Sequence, residues 1–383
     1  MAVSVSKAGP YYSSGQIKFS DLRRDFRAQQ RKTTSGGSET FSTDTSAISA
    51  SQLLRNTSTT NSSPVVPDAT ENTSISTSNN WKVSQFRNSV KYYYVTLPSA
   101  DTVTNFDIDN QNWNGNLSRN INKFMFIDGT CGSSSVSSPA AAFSATAHNL
   151  TVDVTGDILG AGGRGGGTSG APSISGENGG DALSMSPGSS ANNVVVFVRS
   201  GARIYGGGGG GEKGRTGNNG SSGTCTSPEC VYQYCAGSPN SNCMGCGGNY
   251  QYTRRPGCCR STMRGGCVES VYQNICRSTQ SSSTPSGGAG GNGGRGEGYG
   301  QTRQSGAGGG GGSCPSCPGG WSRSGGSCSQ SGETGGTGGN WGDNGGNTNN
   351  SGNGGSGGRA VTGSGYSVSG TINSSTVQGL YNP

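Results

Sequence analysis

The chain has 383 residues, of which 28% are apolar and 12% charged, with 73 glycines, 13 cysteines and one histidine. Ordinary domains carry about 45–50% apolar and about 25% charged residues, so one conventional core of this length is excluded, and so is a charge-driven disordered chain. A net charge of +7 without a dominant Lys/Arg stripe argues against a nucleic-acid partner, and no apolar run reaches the length of a membrane span.

Residues 1–32 read as a docking arm. Met1–Gly15 lacks the apolar run of a secretory signal. Ser20 can cap a short helix over Asp21–Arg31, with Asp21 in its first turn and Arg27 and Arg31 toward its end. Leu22 and Phe26 then form an i, i+4 apolar stripe, with Ile17 and Phe19 just ahead of it. A helix this short needs a partner surface to persist, which makes Ile17, Phe19, Leu22 and Phe26 the expected docking residues; a frayed terminus is the bland alternative. Residues 33–80, rich in Ser, Thr and Asn, read as a linker.

Residues 81–155 read as a small β domain. The runs Val90–Leu97, Phe124–Ile127 and Leu150–Val154 are β-branched or aromatic and are bounded by turn residues. Trp81, Phe106 and Trp113 are candidates to fill its core. His148 has no second ligand or nucleophile nearby and reads as a surface or turn residue.

At residue 156 the composition changes: residues 1–155 hold 7 glycines and the rest of the chain holds 66. Residues 156–224 open with a repeat in which an alternating strand meets a Gly corner and an apolar residue. Its copies are Val152–Gly160 and Val196–Tyr205, each leading into a glycine tract, with a partial third at Val368–Ile372. A recurring strand with a Gly bend suggests stacked coils or sheet layers. The tracts lack the strict period of collagen. They can be flexible linkers or an ordered bundle of extended, three-fold, PPII-like polyglycine helices, in which only Gly allows chains to approach. Their number and their alternation with short polar inserts favour the bundle. The expected fold class is therefore mainly β, with a glycine-rich polyglycine helical bundle and one short N-terminal helix.

Residues 225–276 form a cysteine-rich insert, and 277–383 return to glycine and a C-terminal strand. Cys225, Cys230, Cys235, Cys243, Cys246, Cys258, Cys259, Cys267, Cys276, Cys314, Cys317 and Cys328 make an even set, consistent with a disulfide framework of unreadable pairing. Such staples stabilise loop-rich, core-poor segments by about 2–4 kcal/mol each. The rival is zinc on the two C-x-x-C pairs, Cys243, Cys246, Cys314 and Cys317; otherwise no cofactor is expected. Tyr232, Tyr234, Tyr250 and Tyr252, with Arg254, Arg255, Arg260 and Arg264, are rigid aromatics and bidentate cations of the kind that contact ligands. They can equally fill the insert's own small core.

Gly15–Arg27, with the sequence GQIKFSDLRRDFR, resembles a segment found near the start of many tailed-phage structural proteins. Residues 81–211 are similar to glycine-rich tail proteins, through Asn105–Ile108, Trp113–Gly115 and Gly179–Leu183. The tracts resemble those of the distal tail-fibre adhesins of T-even-like phages. That resemblance implies a virion tail protein, extracellular after host lysis, whose glycine scaffold presents loops to a host surface glycan or protein. It implies docking of the arm to other tail or baseplate proteins, and it makes a cyanophage a plausible source. A homotrimer is common among fibres, although no heptad supports one here. Two alternatives stay open: a purely structural tail or baseplate component, and a polysaccharide-degrading tailspike. The second would need paired carboxylates, and the acidic residues are scattered. No enzyme is expected.

Overall fold

A computed structural model describes residues 16–17, 53–58, 66–78, 80, 82–169, 171, 173–227 and 279–381. The strands Val5–Ala8, Cys230–Cys235, Arg254–Pro256, Ser261–Thr262, Gly266–Cys267 and Val271–Cys276 are described by their pairing. The chain forms two compact units. One comprises Met1–Lys213, Asn292–Ala307 and Gly335–Pro383, and the other Gly214–Gly291 and Gly308–Thr334.

The first unit is a stack of coils, each giving one strand to each of three sheets. The first coil supplies Tyr92–Leu97, Thr102–Thr104 and Phe106–Asp107, and the second Asn122–Ile127, Thr130–Gly132 and Ala141–Phe143. The third supplies His148–Val154, Asp157–Leu159 and Leu183–Met185, and the fourth Asn192–Val198, Arg203–Tyr205 and Val361–Gly363. Ser367–Gly370 and Val377–Gln378 begin a fifth. Successive coils pair in parallel and in register, while Val5–Ala8 adds antiparallel to Tyr92–Val95 of the first coil.

Register explains the core. Equivalent positions stack as the apolar ladders Val95, Met125, Val152, Val196, Val368 and Val103, Cys131, Ile158, Ile204, Val377. A third ladder, Phe106, Ala141, Leu183, Val361, closes the core. The sequence repeat is this stacking: its copies lie in the third, fourth and fifth coils, with Val152 beside Val196 and Val196 beside Val368. Asn149 and Asn193 hold the same left-handed corner (φ 53° and 56°), and Asn193 Nδ2 donates to Asn149 Oδ1 at 3.0 Å. Such side-chain ladders tie one coil to the next. Phe106 and Trp113 are buried as expected, whereas Trp81 lies outside the described residues. His148, expected at the surface or in a turn, is buried at the start of a strand.

Two excursions, 160–182 and 206–360, leave from the same corner, after the second sheet's strand in the third and fourth coils. Their glycines correct the expected fold class. The structure is mainly parallel β, and no polyglycine helical bundle occurs among the described residues. Among the described residues the helical elements are the short 3-10 turns Thr70–Asn72 and Val83–Phe86. The N-terminal helix expected over Asp21–Arg31 lies outside the described residues. The tracts are extended segments joined laterally. Gly207, Gly208 and Gly209 donate their N–H groups to Gly180, Glu297 and Asp343 at 2.7–2.9 Å, and Gly210, Gly211 and Glu212 return to the same three neighbours through Glu177, Gly294 and Gly346. Every third N–H thus meets the same neighbour, so the segments satisfy one another's backbone without coil-to-coil strand pairing. A Cβ on Gly207, Gly209 or Gly210 would lie 1.8–1.9 Å from a neighbouring carbonyl oxygen, so no side chain fits.

One charged residue interrupts the ladders. Lys123 is fully buried in the row Tyr93, Lys123, Leu150, Val194. Its Nζ donates to the carbonyls of Arg119, Ile121 and His148 at 2.9, 2.6 and 2.6 Å. Burial pulls its pKa from 10.5 down to about 7, although three carbonyl acceptors favour the ammonium and limit that fall.

Gly209→Ala is expected to lower unfolding free energy by about 3 kcal/mol through backbone overlap. Gly311→Ala, where a Cβ meets nothing within 4 Å, should stay within about 0.5 kcal/mol of the parent in the same chemical denaturation series. Because the folded pKa of Lys123 lies below the unfolded one, the unfolded chain binds more protons between them. Stability should therefore climb from pH 7 to 9, by at most about 1.4 kcal/mol per pH unit. Lys123→Met should flatten that slope in denaturation curves taken across the window.

Candidate functional site

The second unit is the candidate site, because it combines a rigid glycine frame with the cysteine-rich insert. Its glycine segments repeat the lateral bonding. Gly214 and Gly217 donate to Gly291 and Gly288 at 2.8 and 2.9 Å, Gly288 and Gly291 donate to Gln330 and Glu333 at 2.9 Å, and Gly332 donates to Gly310 at 2.9 Å. Arg215 and Glu333 approach to 3.4 Å at the surface, a pair worth little on its own.

The frame ends in a three-stranded antiparallel sheet, Thr279–Ser281, Thr224–Thr226 and Ser322–Ser324, in which Cys225 lies opposite both Gln280 and Arg323. Thr224–Thr226 leads into the insert and Thr279–Ser281 leads out of it, so the sheet clamps both feet of the loop. Two disulfides lock this neck. Cys225, fully buried, bonds Cys317 across 92 residues, and the exposed Cys314 bonds Cys328 across 14. Ser282 Oγ accepts the Gly223 N–H at 2.7 Å, and Arg323 Nη1 donates to Pro315 O at 3.3 Å.

Beyond the neck, Cys230–Cys235 pairs antiparallel with Val271–Cys276, which also pairs with Arg254–Pro256. Cys230 and Cys276 stand directly opposite, and Tyr234 stands opposite Tyr272. Tyr232 and Arg254 share one row through Asn274, and Arg255 lies opposite Gln273. Cys267 faces Ser261 in a small hairpin. Tyr250, Tyr252, Arg260, Arg264, Cys243, Cys246, Cys258 and Cys259 lie outside the described residues, as do Phe19, Leu22 and Phe26; Ile17 is half-buried.

Cys225, Cys314, Cys317 and Cys328 thus take their places in a disulfide framework. The zinc alternative loses two ligands, because the sulfurs of Cys314 and Cys317 are already bonded to different partners. No group of three or more His, Cys, Asp or Glu side chains able to hold a metal occurs among the described residues. Cys131 stands apart because it belongs to the solenoid core, where burial pushes its thiol up to about 12. Sequence reasoning passed over the loop 315–324, which brings the half-buried Trp321 and exposed Arg323 to the neck. Its signal was the P-G-G-W run directly after Cys317.

Residues 91–267 match the family described as phage tail fibre adhesin Gp38. The matched stretch is a little under half of the chain and runs through the stacked coils into the insert. No curated protein matches. Among solved structures, the gp37-gp38 adhesin tip complex of the bacteriophage S16 long tail fiber is similar at 19% identity, over 80% of this chain and 88% of that one. The TM-score is 0.34. The family match bears out the likeness to phage tail-fibre adhesins that the sequence implies.

Loss of the neck staples should be unequal. The loop-entropy relation assigns about 4.6 kcal/mol to a crosslink closing the Cys225–Cys317 loop and about 3 kcal/mol to the Cys314–Cys328 loop. Cys225→Ser with Cys317→Ser is therefore expected to destabilise the neck more than Cys314→Ser with Cys328→Ser. Hydrogen exchange of Thr224–Thr226 and Thr279–Ser281 in the two variants measures the difference.

Proposed function

We propose that the cysteine-rich insert is the host-contacting surface of this protein, with the glycine frame and its stapled neck as the rigid mount. The protein is a phage tail-fibre adhesin, a virion tail component that binds a host receptor. The observation that carries the site assignment is the neck. The strands into and out of the insert are held side by side by one sheet and by the Cys225–Cys317 bond. Feet held in this way need no further ordering when the insert binds, which favours affinity.

The contact chemistry follows from residue types. Tyr232, Tyr234, Tyr250 and Tyr252 offer faces on which sugars stack, and Arg254, Arg255, Arg260 and Arg264 offer forks for phosphates or carboxylates. The arm residues Ile17, Phe19, Leu22 and Phe26 are the proposed attachment to other tail proteins. The role is binding rather than catalysis.

Deleting 228–278 while keeping Cys225 and both flanking strands tests the assignment. Particles should assemble normally and lose adsorption to host cells. Full adsorption by the deletion particle would remove the insert from the contact surface, and failure of particle assembly would favour a scaffold role.

A further inference from the structure

The first unit carries a shallow cavity of about 380 Å³, widely open to solvent, that has no part in the neck or the insert. It is lined by the loop Asp109–Ser118, which follows the first coil, together with Thr146. This loop is rigid for identifiable reasons. Asp107 Oδ1 accepts the N–H groups of Asp109 and Asn110 at 2.9 and 3.2 Å. The Trp113 indole donates to Ile108 O at 3.0 Å. Asn116, fully buried, accepts from the Thr70 N–H at 2.9 Å and donates to the carbonyls of Trp113 and Asn114, both at 3.1 Å. Asn114 and Gly115 take up the left-handed turn at φ 49° and 70°.

The lining is chemically specific. Its one ionisable group is Asp109, and that carboxylate is already occupied by the Ser144 N–H and hydroxyl and the Ala145 N–H at 2.6–3.1 Å. No Lys, Arg or His lines the cavity, so an anionic ligand would find no counter-charge there. Gln111 uses its Nε2 on Asp107 O and Asn112 uses its Oδ1 on the Asn114 N–H. Gln111 Oε1, Asn112 Nδ2 and the hydroxyls of Ser118 and Thr146 remain for a ligand, beside the half-buried Leu117. That is a mixed set of donors and acceptors next to an apolar wall. It matches a molecule whose hydroxyls both donate and accept around an apolar ring face.

We propose that this cavity binds a neutral pyranose, as a sugar subsite on the solenoid body independent of the cysteine-rich insert. The volume of about 380 Å³ admits one ring, with one side of it left in solvent. A loop already fixed by Asp107, Trp113 and Asn116 orders little more on binding, so a small ligand can be held. The biological use of the subsite rests on the adhesin reading; the binding itself does not.

Saturation-transfer NMR on the purified full-length chain, with a panel of neutral hexoses and N-acetylhexosamines, tests the site. Saturable binding in the millimolar range is expected for at least one sugar. Ser118 is exposed, so Ser118→Trp should fill the cavity without unfolding the chain, leave the melting temperature unchanged and weaken binding at least about tenfold. The 228–278 deletion should keep the sugar signal, which separates this site from the fate of the insert assignment. No saturable binding by any neutral sugar, binding unaffected by Ser118→Trp, or preference for uronic or sialic acids would each overturn the proposal.

Discussion

The structure depends on satisfying backbone N–H and C=O groups in a chain with few large apolar side chains. A buried amide left without a partner costs as much as several methylenes contribute, so the fold is arranged around peptide groups meeting peptide groups. In the solenoid this happens by parallel strand pairing from coil to coil. In the glycine tracts it happens by lateral bonding, each N–H turning to a different neighbour and returning after three residues. Both solutions give short, regular contacts with little side-chain volume.

The two solutions place different demands on sequence. Coil stacking requires an apolar residue at each inward rung, and the ladders of Val, Ile, Met and Leu provide it with only a modest apolar fraction. Lateral bonding requires the opposite, the absence of a Cβ wherever another carbonyl approaches. Ordering so much glycine is costly in entropy. Side chains at the margins offset part of that cost: Asn178, Asn344 and Asn347 accept the N–H groups of Ser356, Gly357 and Gly354 at 2.7–2.9 Å. In the second unit, where no comparable apolar ladder is present among the described residues, covalent bonds at Cys225–Cys317 and Cys314–Cys328 take over the task.

On the function proposed above, this construction separates the mount from the contact surface. At most glycines of the tracts an added Cβ would overlap a neighbouring backbone, so substitution there is restricted. The insert meets the frame through two strands and one buried sulfur. The same separation recurs on the body, where Asp107, Trp113 and Asn116 fix a loop and Gln111, Asn112 and Ser118 are left to face solvent.

Much of this was legible from residue order. The alternating runs at Val90–Leu97, Phe124–Ile127 and Leu150–Val154 are strands, and the repeated strand–Gly–apolar element is the coil. The even cysteine set contains the staples, and the short N-terminal motif with the tracts points to tail-fibre adhesins. These signals are local, because periodicity and composition report what each segment can bury. What the sequence left undecided concerns partners distant along the chain. It could not show that Val152, Val196 and Val368 share one ladder, that Cys314 and Cys317 bond different sulfurs, or that glycine segments join laterally instead of forming a helical bundle. Nor could it show that Lys123 lies inside a core row or that His148 is buried. Glycine has no side chain to record its neighbour, and a cysteine carries no mark of its partner. Those pairings are set only when the coils stack and the excursions return, which is why the tertiary structure alone decided them.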